Sequence, residues 1–289
     1  MPNPLPTAWF NGRFLPLGDI SVSPLDRGFL FGDGIYEVIP AYGGRLFRFD
    51  AHLARLRYSL GEARLDDPYS PAQWREVLQG VADRNGGGNL SVYLQVTRGA
   101  ADMRDHRFPS GVSPTVFAMA SPLAPMPQQV LDEGVTCITC EDIRWRRCDI
   151  KTISLLGNVL LRQQAEDAGA AETILLMGGC ATEGSASTLF IVDAAGTVCT
   201  PPKDKRLLPG ITRDLVLELA RDGGLAVAER EIRETELRGA GEIWLASSTR
   251  EVVAVTSLDN QPVGDGRPGT MWRRVWHLFQ DYKQTLIAA

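Results

Sequence analysis

The stretch CDIKTISLLGN, residues 148–158, holds the lysine on which the reading of this chain turns. The sequence has only four lysines: Lys151, Lys203, Lys205 and Lys283. Lys203 and Lys205 sit in a polar, proline-rich turn (PPKDK), and Lys283 falls on the charged face of a terminal helical pattern. Lys151 alone stands between core-like segments, after a strand-like run and before an amphipathic helical one. Burial at such a junction lowers the pKa of a lysine and frees its amine as nucleophile or base. The same position also suits a lysine whose stem packs while its head reaches water. Taken by itself, the second is the commoner outcome.

Outward from this stretch, strands and helices mix in both directions. Leu53, Leu56 and Leu60 form one stripe of a helix to about Ala63, with Asp50 as its expected cap. Ser70 and Pro71 open a second helix, in which Trp74, Val77, Leu78 and Val81 recur at helical spacing. NGGGN, residues 85–89, stops it, and LSVYLQVT, residues 90–97, alternates as a half-buried strand does. Thr115–Ala120 reads as another strand, and SPLAPMPQQ from Ser121 to Gln129 has no period. Further strands are expected near Val135–Cys140, Glu172–Met177, Thr188–Asp193, Ile243–Ala246 and Val252–Thr256. Helices are expected near Leu155–Ala168, Thr212–Arg221 and Met271–Leu286. The expected fold class is α/β (α+β), with domains at 1–121 and 130–289 joined by a linker at 122–129. Lys151 falls in the second of these.

Four more segments could carry chemistry. Glu183 lies in the small-residue turn ATEGSAS, residues 181–187. A glutamate there is usually solvated, but beside a pyridine ring its carboxylate could keep the ring nitrogen protonated. In LLPGITRD, residues 207–214, Gly210 frees the backbone and Thr212 could cap a helix whose first amides face an anion. GDGIYEV, residues 32–38, lacks the glycine spacing of a dinucleotide loop. In MRDH, residues 103–106, an extended backbone would put Arg104 and His106 on one side, as a carboxylate trap requires. Each of these is ambiguous alone.

Composition excludes several classes. A formal net charge of -5 argues against a nucleic-acid or anionic-membrane partner. No apolar run approaches the ~20 residues that span a bilayer. Met1–Phe10 shows no basic segment before an apolar core, so no signal peptide is expected and the reading is cytoplasmic. Five scattered cysteines do not make a disulfide framework. Cys137 and Cys140 form a C-x-x-C string, but on a strand they point to opposite faces, and no further ligands complete a metal site.

Together, six segments in register resemble the fold-type-IV family of pyridoxal-phosphate enzymes, over about Trp9 to Tyr282. They are DRGFLFGDGIYEV, HLARL, QVTRG with the Arg104-x-His106 pair, EDIRWRRCDIK, TEGSAS and GITRD. They are most similar to the D-amino acid aminotransferase branch. The resemblance implies two domains with the cofactor, pyridoxal 5'-phosphate, between them. It implies that Lys151 holds the cofactor covalently and moves the proton between the substrate α-carbon and C4′. Glu183 would pair with the ring nitrogen and Leu208 would pack on the ring. Arg55, the amides of Ile211 and Thr212, and a hydroxyl of Ser248 or Thr249 would hold the phosphate. Tyr36, Arg104 and His106 would hold the substrate carboxylate. Amino acids and 2-oxo acids are the implied small-molecule partners, and a homodimer the implied assembly, the Arg104 loop being a candidate to complete the other subunit's site. Ser185-Ala186-Ser187 departs from the three serines often found after this motif, which by the same resemblance implies one hydroxyl fewer on the far side of the cofactor.

Rival readings share the fold: an aminodeoxychorismate lyase, or a transaminase for L-branched-chain acids or (R)-amines. A pyridoxal-phosphate carrier or sensor is a rival of another class, but a carrier needs no carboxylate trap.

Overall fold

The alternation in LSVYLQVT is realised: Leu90, Val92, Leu94 and Val96 are buried, while Ser91, Tyr93 and Gln95 are half-exposed. In the computed structural model, which describes residues 3–288, this strand belongs to the first of two units. That unit contains β1 (Thr7–Phe10), β2 (Arg13–Pro16), α1 (Arg27–Phe31), β3 (Gly34–Tyr42), β4 (Arg45–Leu46), α2 (Phe49–Glu62), α3 (Pro71–Arg84), β5 (Leu90–Thr97) and β6 (Thr115–Pro122). Its sheet runs β2-β1-β6-β5-β3-β4, with every pairing antiparallel. Leu53, Leu56 and Leu60 of α2 and Trp74, Leu78 and Val81 of α3 pack with Ile35, Ile39, Val92 and Leu94 of the sheet. Each such buried side chain contributes roughly 1.5–3 kcal/mol.

The helix starts show two outcomes. Ser70 caps α3 as expected, its hydroxyl accepting from the Gln73 amide while the Gln73 side chain accepts from the Ser70 amide. Asp50 does not cap α2. The helix begins two residues earlier, on a left-handed Arg48 whose carbonyl accepts from Ala51 and His52. Asp50 instead lies in the first turn, where a carboxylate meets the positive end of the helix dipole, and it pairs with Arg75.

The second unit contains α4 (Gln128–Glu133), β7 (Val135–Glu141), α5 (Leu156–Asp167), β8 (Glu172–Met177), β9 (Cys180–Gly184), β10 (Thr188–Val192), β11 (Val198–Thr200), α6 (Ile211–Asp222), β12 (Val227–Glu229), β13 (Ile232–Arg233), α7 (Glu234–Arg238), β14 (Glu242–Ser247), β15 (Glu251–Leu258), β16 (Gln261–Pro262) and most of α8 (Thr270–Ala288). Its mixed sheet runs β12-β11-β10-β14-β15-β7-β8-β9-β13, with β16 on β15. Ile174, Leu189, Ile191, Ile243, Leu245 and Val255 lie in its core. Cys137 is buried and Cys140 half-buried on β7, and burial pushes the Cys137 thiol up to about 12. Among the described residues, no helix is long and apolar enough to cross a membrane.

The domain expectation needs one correction. Residues 150–155, with Lys151, belong to the first unit, although the chain before and after them belongs to the second. The reason is backbone pairing: Ile35 of β3 bridges Thr152, and the Ile153 amide donates to the Gly34 carbonyl at 3.1 Å. Between the units, Pro122 is the last residue of β6 and Gln128 the first of α4.

Candidate active site

The main chain at Lys151 is held from two sides. Its carbonyl accepts from the Tyr36 amide at 2.9 Å, and its amide donates to the Ser59 hydroxyl of α2 at 3.1 Å. The glycines of GDG make this approach possible. Gly32 is left-handed (φ 66°) and its added Cβ would lie 2.5 Å from Ser154 Oγ. A Cβ on Gly34 would meet Val96 O at 2.7 Å and Ile153 Cδ1 at 2.9 Å. The motif therefore serves as a seat for the lysine segment.

The side chain of Lys151 is half-buried, its Nζ 4.2 Å from the centroid of the Tyr36 ring. Lys203 pairs with Asp214 and Lys283 with Glu251, and Lys205 is exposed. Lys151 differs from all three: among the described residues it has no carboxylate partner, unlike Lys203 and Lys283, and it is half-buried, unlike Lys205. Tyr36 in turn stacks on Tyr93, with centroids 5.8 Å apart. Burial and the nearby Tyr36 push Tyr93 up to about 12, so it stays neutral and its hydroxyl donates to Gln95 at 2.7 Å.

Beneath this segment lies a buried polar set that the sequence reading did not find. Arg55, the expected phosphate ligand, makes a two-pronged pair with Glu37: Nε to Oε1 at 2.8 Å and Nη2 to Oε2 at 2.9 Å. His52 Nδ1 lies 2.9 Å from Glu37 Oε2. Burial alone would raise the Glu37 carboxyl, but Arg55 and His52 hold it well below the usual carboxylate range. Burial lowers His52, the charges of Arg55 and Lys151 add to this, and Glu37 opposes them. The imidazole is thus neutral and donates through Nδ1 to an ionised Glu37. A signal existed in the sequence: His52, Arg55 and Ser59 recur at helical spacing between the leucines of α2, so they face the same core.

The second unit builds a separate polar set around Glu183, which lies near the end of β9 and is 4% exposed. Arg144 Nη1 donates to Glu183 Oε1 at 2.5 Å, and the Leu208 amide donates to Oε2 at 3.2 Å. Burial pushes the Glu183 carboxyl up, while the Arg144 guanidinium and the Leu208 amide oppose it. Arg144 is itself fixed by Asp142, through Nε at 2.9 Å and Nη2 at 2.8 Å. Arg144 stands within EDIRWRRCDIK, where no local signal links it to a glutamate 39 residues away.

The turn after Glu183 is organised by Glu172. This buried carboxylate, paired with Arg250, accepts from the Ala186 amide at 2.7 Å and the Ser187 hydroxyl at 2.9 Å. Asn158 at the start of α5 donates to the Ser185 carbonyl at 2.7 Å. Ala186, the departure from three serines, takes part through its amide. α6 begins at Ile211 with Gly210, not Thr212, as its cap, and no side chain caps its amides. The physical reason is space: a Cβ on Gly210 would lie 2.7 Å from Thr188 Oγ1. First-turn amides left uncapped by a side chain, at the start of a twelve-residue helix, suit a phosphate. Ser248 is half-buried and Thr249 exposed in the turn between β14 and β15.

Arg104 and His106 are exposed in the loop between β5 and β6. Both stand on the ring of Phe31, Arg104 at 4.9 Å and His106 at 5.2 Å. Tyr36 packs elsewhere, on Tyr93 and Lys151, so one chain does not gather the three expected carboxylate ligands into one contact set. Among the described residues there is no metal-binding cluster.

An amine without an acid partner, a buried carboxylate beside an arginine, and an open helix N-terminus are the groups that an aldehyde-bearing, phosphorylated pyridine requires. Residues 34–258 match the family described as Amino-transferase class IV. The D-alanine aminotransferase of Bacillus licheniformis is 40% identical over 272 residues, covering 94% of this chain and 95% of its own length. That of Staphylococcus epidermidis is 38% identical over 278 residues, covering 96% and 98%. The branched-chain amino acid aminotransferase of Escherichia coli superposes with a TM-score of 0.88 at 26% identity, covering 96% of this chain and 94% of that one. A further branched-chain amino acid aminotransferase, solved with pyridoxamine 5'-phosphate, superposes with a TM-score of 0.91 at the same 26% identity and the same coverage.

Proposed function

From the premise that the chain belongs to the class IV aminotransferases, we propose that it transfers the amino group of a D-amino acid, such as D-alanine, to a 2-oxo acid such as 2-oxoglutarate or pyruvate. The cofactor is pyridoxal 5'-phosphate. When bound, it supplies an aldehyde for covalent attachment and a ring that withdraws electrons from the substrate α-carbon. The observation that carries the reading is Lys151, an ammonium without a carboxylate partner, fixed at its main chain by Tyr36 and Ser59 and set over an aromatic ring.

The chain's own residues divide the work. Lys151 holds the cofactor, then takes the α-proton and returns it at C4′. Glu183 holds the proton on the ring nitrogen, its position set by Arg144 and the Leu208 amide. Leu208 packs on the ring. The Ile211 and Thr212 amides bind phosphate, with Arg55 and a hydroxyl of Ser248 or Thr249. Glu37 keeps Arg55 aimed. Tyr36, Arg104 and His106 hold the substrate carboxylate and so select the enantiomer. The proposal includes a homodimer in the cytoplasm, in which the Arg104 loop completes the partner's site. The stacking of Arg104 and His106 on Phe31, away from Tyr36, supports that exchange.

The likeness to the branched-chain enzymes favours one alternative, an L-branched-chain transaminase. The higher identity to the D-alanine aminotransferases weighs against it. The test is the visible spectrum of the purified, cofactor-loaded protein on adding D-alanine, L-alanine or L-leucine singly. Bleaching of the band by D-alanine alone is the expected result. Bleaching by an L-isomer alone would overturn the D-specific reading in favour of the alternative, and no response to any would sink both.

A further inference from the structure

The loop that carries Arg104 and His106 is gripped from within its own unit by one buried guanidinium. Arg27, the first residue of α1, is 4% exposed. Its Nη1 donates to the Asp105 carbonyl at 2.5 Å and the Arg107 carbonyl at 3.3 Å, and its Nη2 donates to the His106 carbonyl at 3.3 Å. Three consecutive carbonyls on one side chain fix both the height and the twist of the loop. Arg27 is anchored in turn, its Nε donating to Asp33 at 2.7 Å. Asp33 also pairs with Arg98, whose guanidinium donates to the Ala63 and Arg64 carbonyls after α2. The loop is thereby tied to the frame that seats Lys151.

Phe31 completes the device. Its ring faces Arg27 at 4.8 Å, Arg104 at 4.9 Å and His106 at 5.2 Å. Arg104 and His106 are exposed and long enough to wander, and the shared aromatic ledge restrains them. We propose that Arg27 and Phe31 are positioning residues that set the placement of Arg104 and His106, and through it the affinity for the substrate carboxylate and the choice of enantiomer. The proposal rests on the reading that Arg104 and His106 bind that carboxylate. Geometry matters here because a two-pronged arginine contact is directional, and a displacement of about 1 Å at a binding group lowers rates by about 10²-fold. Lysine cannot replace Arg27, because an ammonium is a point charge and does not span three carbonyls.

The test compares Arg27→Lys, Phe31→Leu and Arg104→Gln in the cofactor-loaded protein. Steady-state constants for D-alanine, the D/L ratio for alanine and the visible cofactor band are measured for each. Arg27→Lys and Phe31→Leu are expected to raise KM about tenfold and lower the D/L ratio, with kcat within about twofold and the band unchanged. An unchanged KM and D/L ratio in both, with Arg104→Gln impaired, would overturn the inference and leave the carboxylate reading intact. An unimpaired Arg104→Gln would overturn that reading itself. If Arg27→Lys does not fold, Phe31→Leu decides alone, since it leaves every Arg27 hydrogen bond in place. Loss of the cofactor band together with kcat would also count against positioning, because it marks general damage.

Discussion

Tyr36 and Lys151 are joined twice: the Tyr36 amide donates to the Lys151 carbonyl at 2.9 Å, and the Lys151 ammonium stands 4.2 Å from the Tyr36 ring centroid. The first contact fixes where the side chain starts and the second restricts where it ends. A lysine so restrained would lose little further freedom in the covalent attachment proposed for it.

Replacing Lys151 with Ala is expected to abolish transamination and the visible cofactor band. The thermal midpoint of the cofactor-free protein should stay near that of the unaltered chain, because both main-chain hydrogen bonds at this position remain. Enzyme assays and melting curves on the purified variant check both points, and wild-type turnover would remove Lys151 from the chemistry.

Glu183→Gln keeps the shape of the side chain and removes the charge proposed to hold the proton on the cofactor's ring nitrogen. A fall in kcat of about 10²-fold or more is expected, the usual size of a lost proton-holding group. Arg144 keeps its pair with Asp142, so the fold should persist. Single-turnover kinetics with D-alanine test this, and an unchanged rate would take Glu183 out of the reaction.

The Glu37 cluster should make stability fall in acid. Glu37 titrates in the folded protein below its ordinary 4.5, and His52 below its ordinary 6.5. Between the folded and ordinary values the unfolded chain binds more protons than the folded one. Each contribution is therefore complete above the ordinary value and is lost as pH falls through the folded value. Resistance to urea unfolding should weaken below about pH 6.5 and more steeply below about pH 4.5. Glu37→Gln leaves the buried Arg55 without its carboxylate, at a cost of about 3–5 kcal/mol, and should remove the steeper arm.

Gly34→Ala tests the seat of the lysine segment. The new methyl would lie 2.7 Å from Val96 O and 2.9 Å from Ile153 Cδ1, so β3 must shift against β5 and the Ile153 side chain must turn aside. A loss of about 1–3 kcal/mol is expected, with weaker cofactor retention on gel filtration. Wild-type stability and retention would show that the close approach is dispensable.

Much of the fold was legible because its signals are local. The period of Leu53, Leu56 and Leu60, the Ser70 cap with Pro71 and the alternation of Leu90–Thr97 each depend on residues within a turn or two, and all three appear as expected. The caps at Asp50 and Thr212 failed for an equally local reason. Arg48 and Gly210, each two residues earlier, already start the helix, so Asp50 and Thr212 fall inside its first turn and not at the cap position.

The sequence by itself determined the chemistry: a solitary lysine in the 148–158 stretch, a glutamate in a small-residue turn, a glycine-opened helix and the resemblance these carry in register. Side-chain identity and short spacing suffice for that. Only the tertiary structure decided what surrounds those groups. It placed Lys151 with the first unit through strand pairing to residues more than a hundred positions away, and gave Glu183 its Arg144. It set Arg55 against Glu37 and closed Arg27 on the carbonyls of residues 105–107. Buried charges must find partners wherever the packed chain supplies them, and distance along the sequence carries no record of which partner that is.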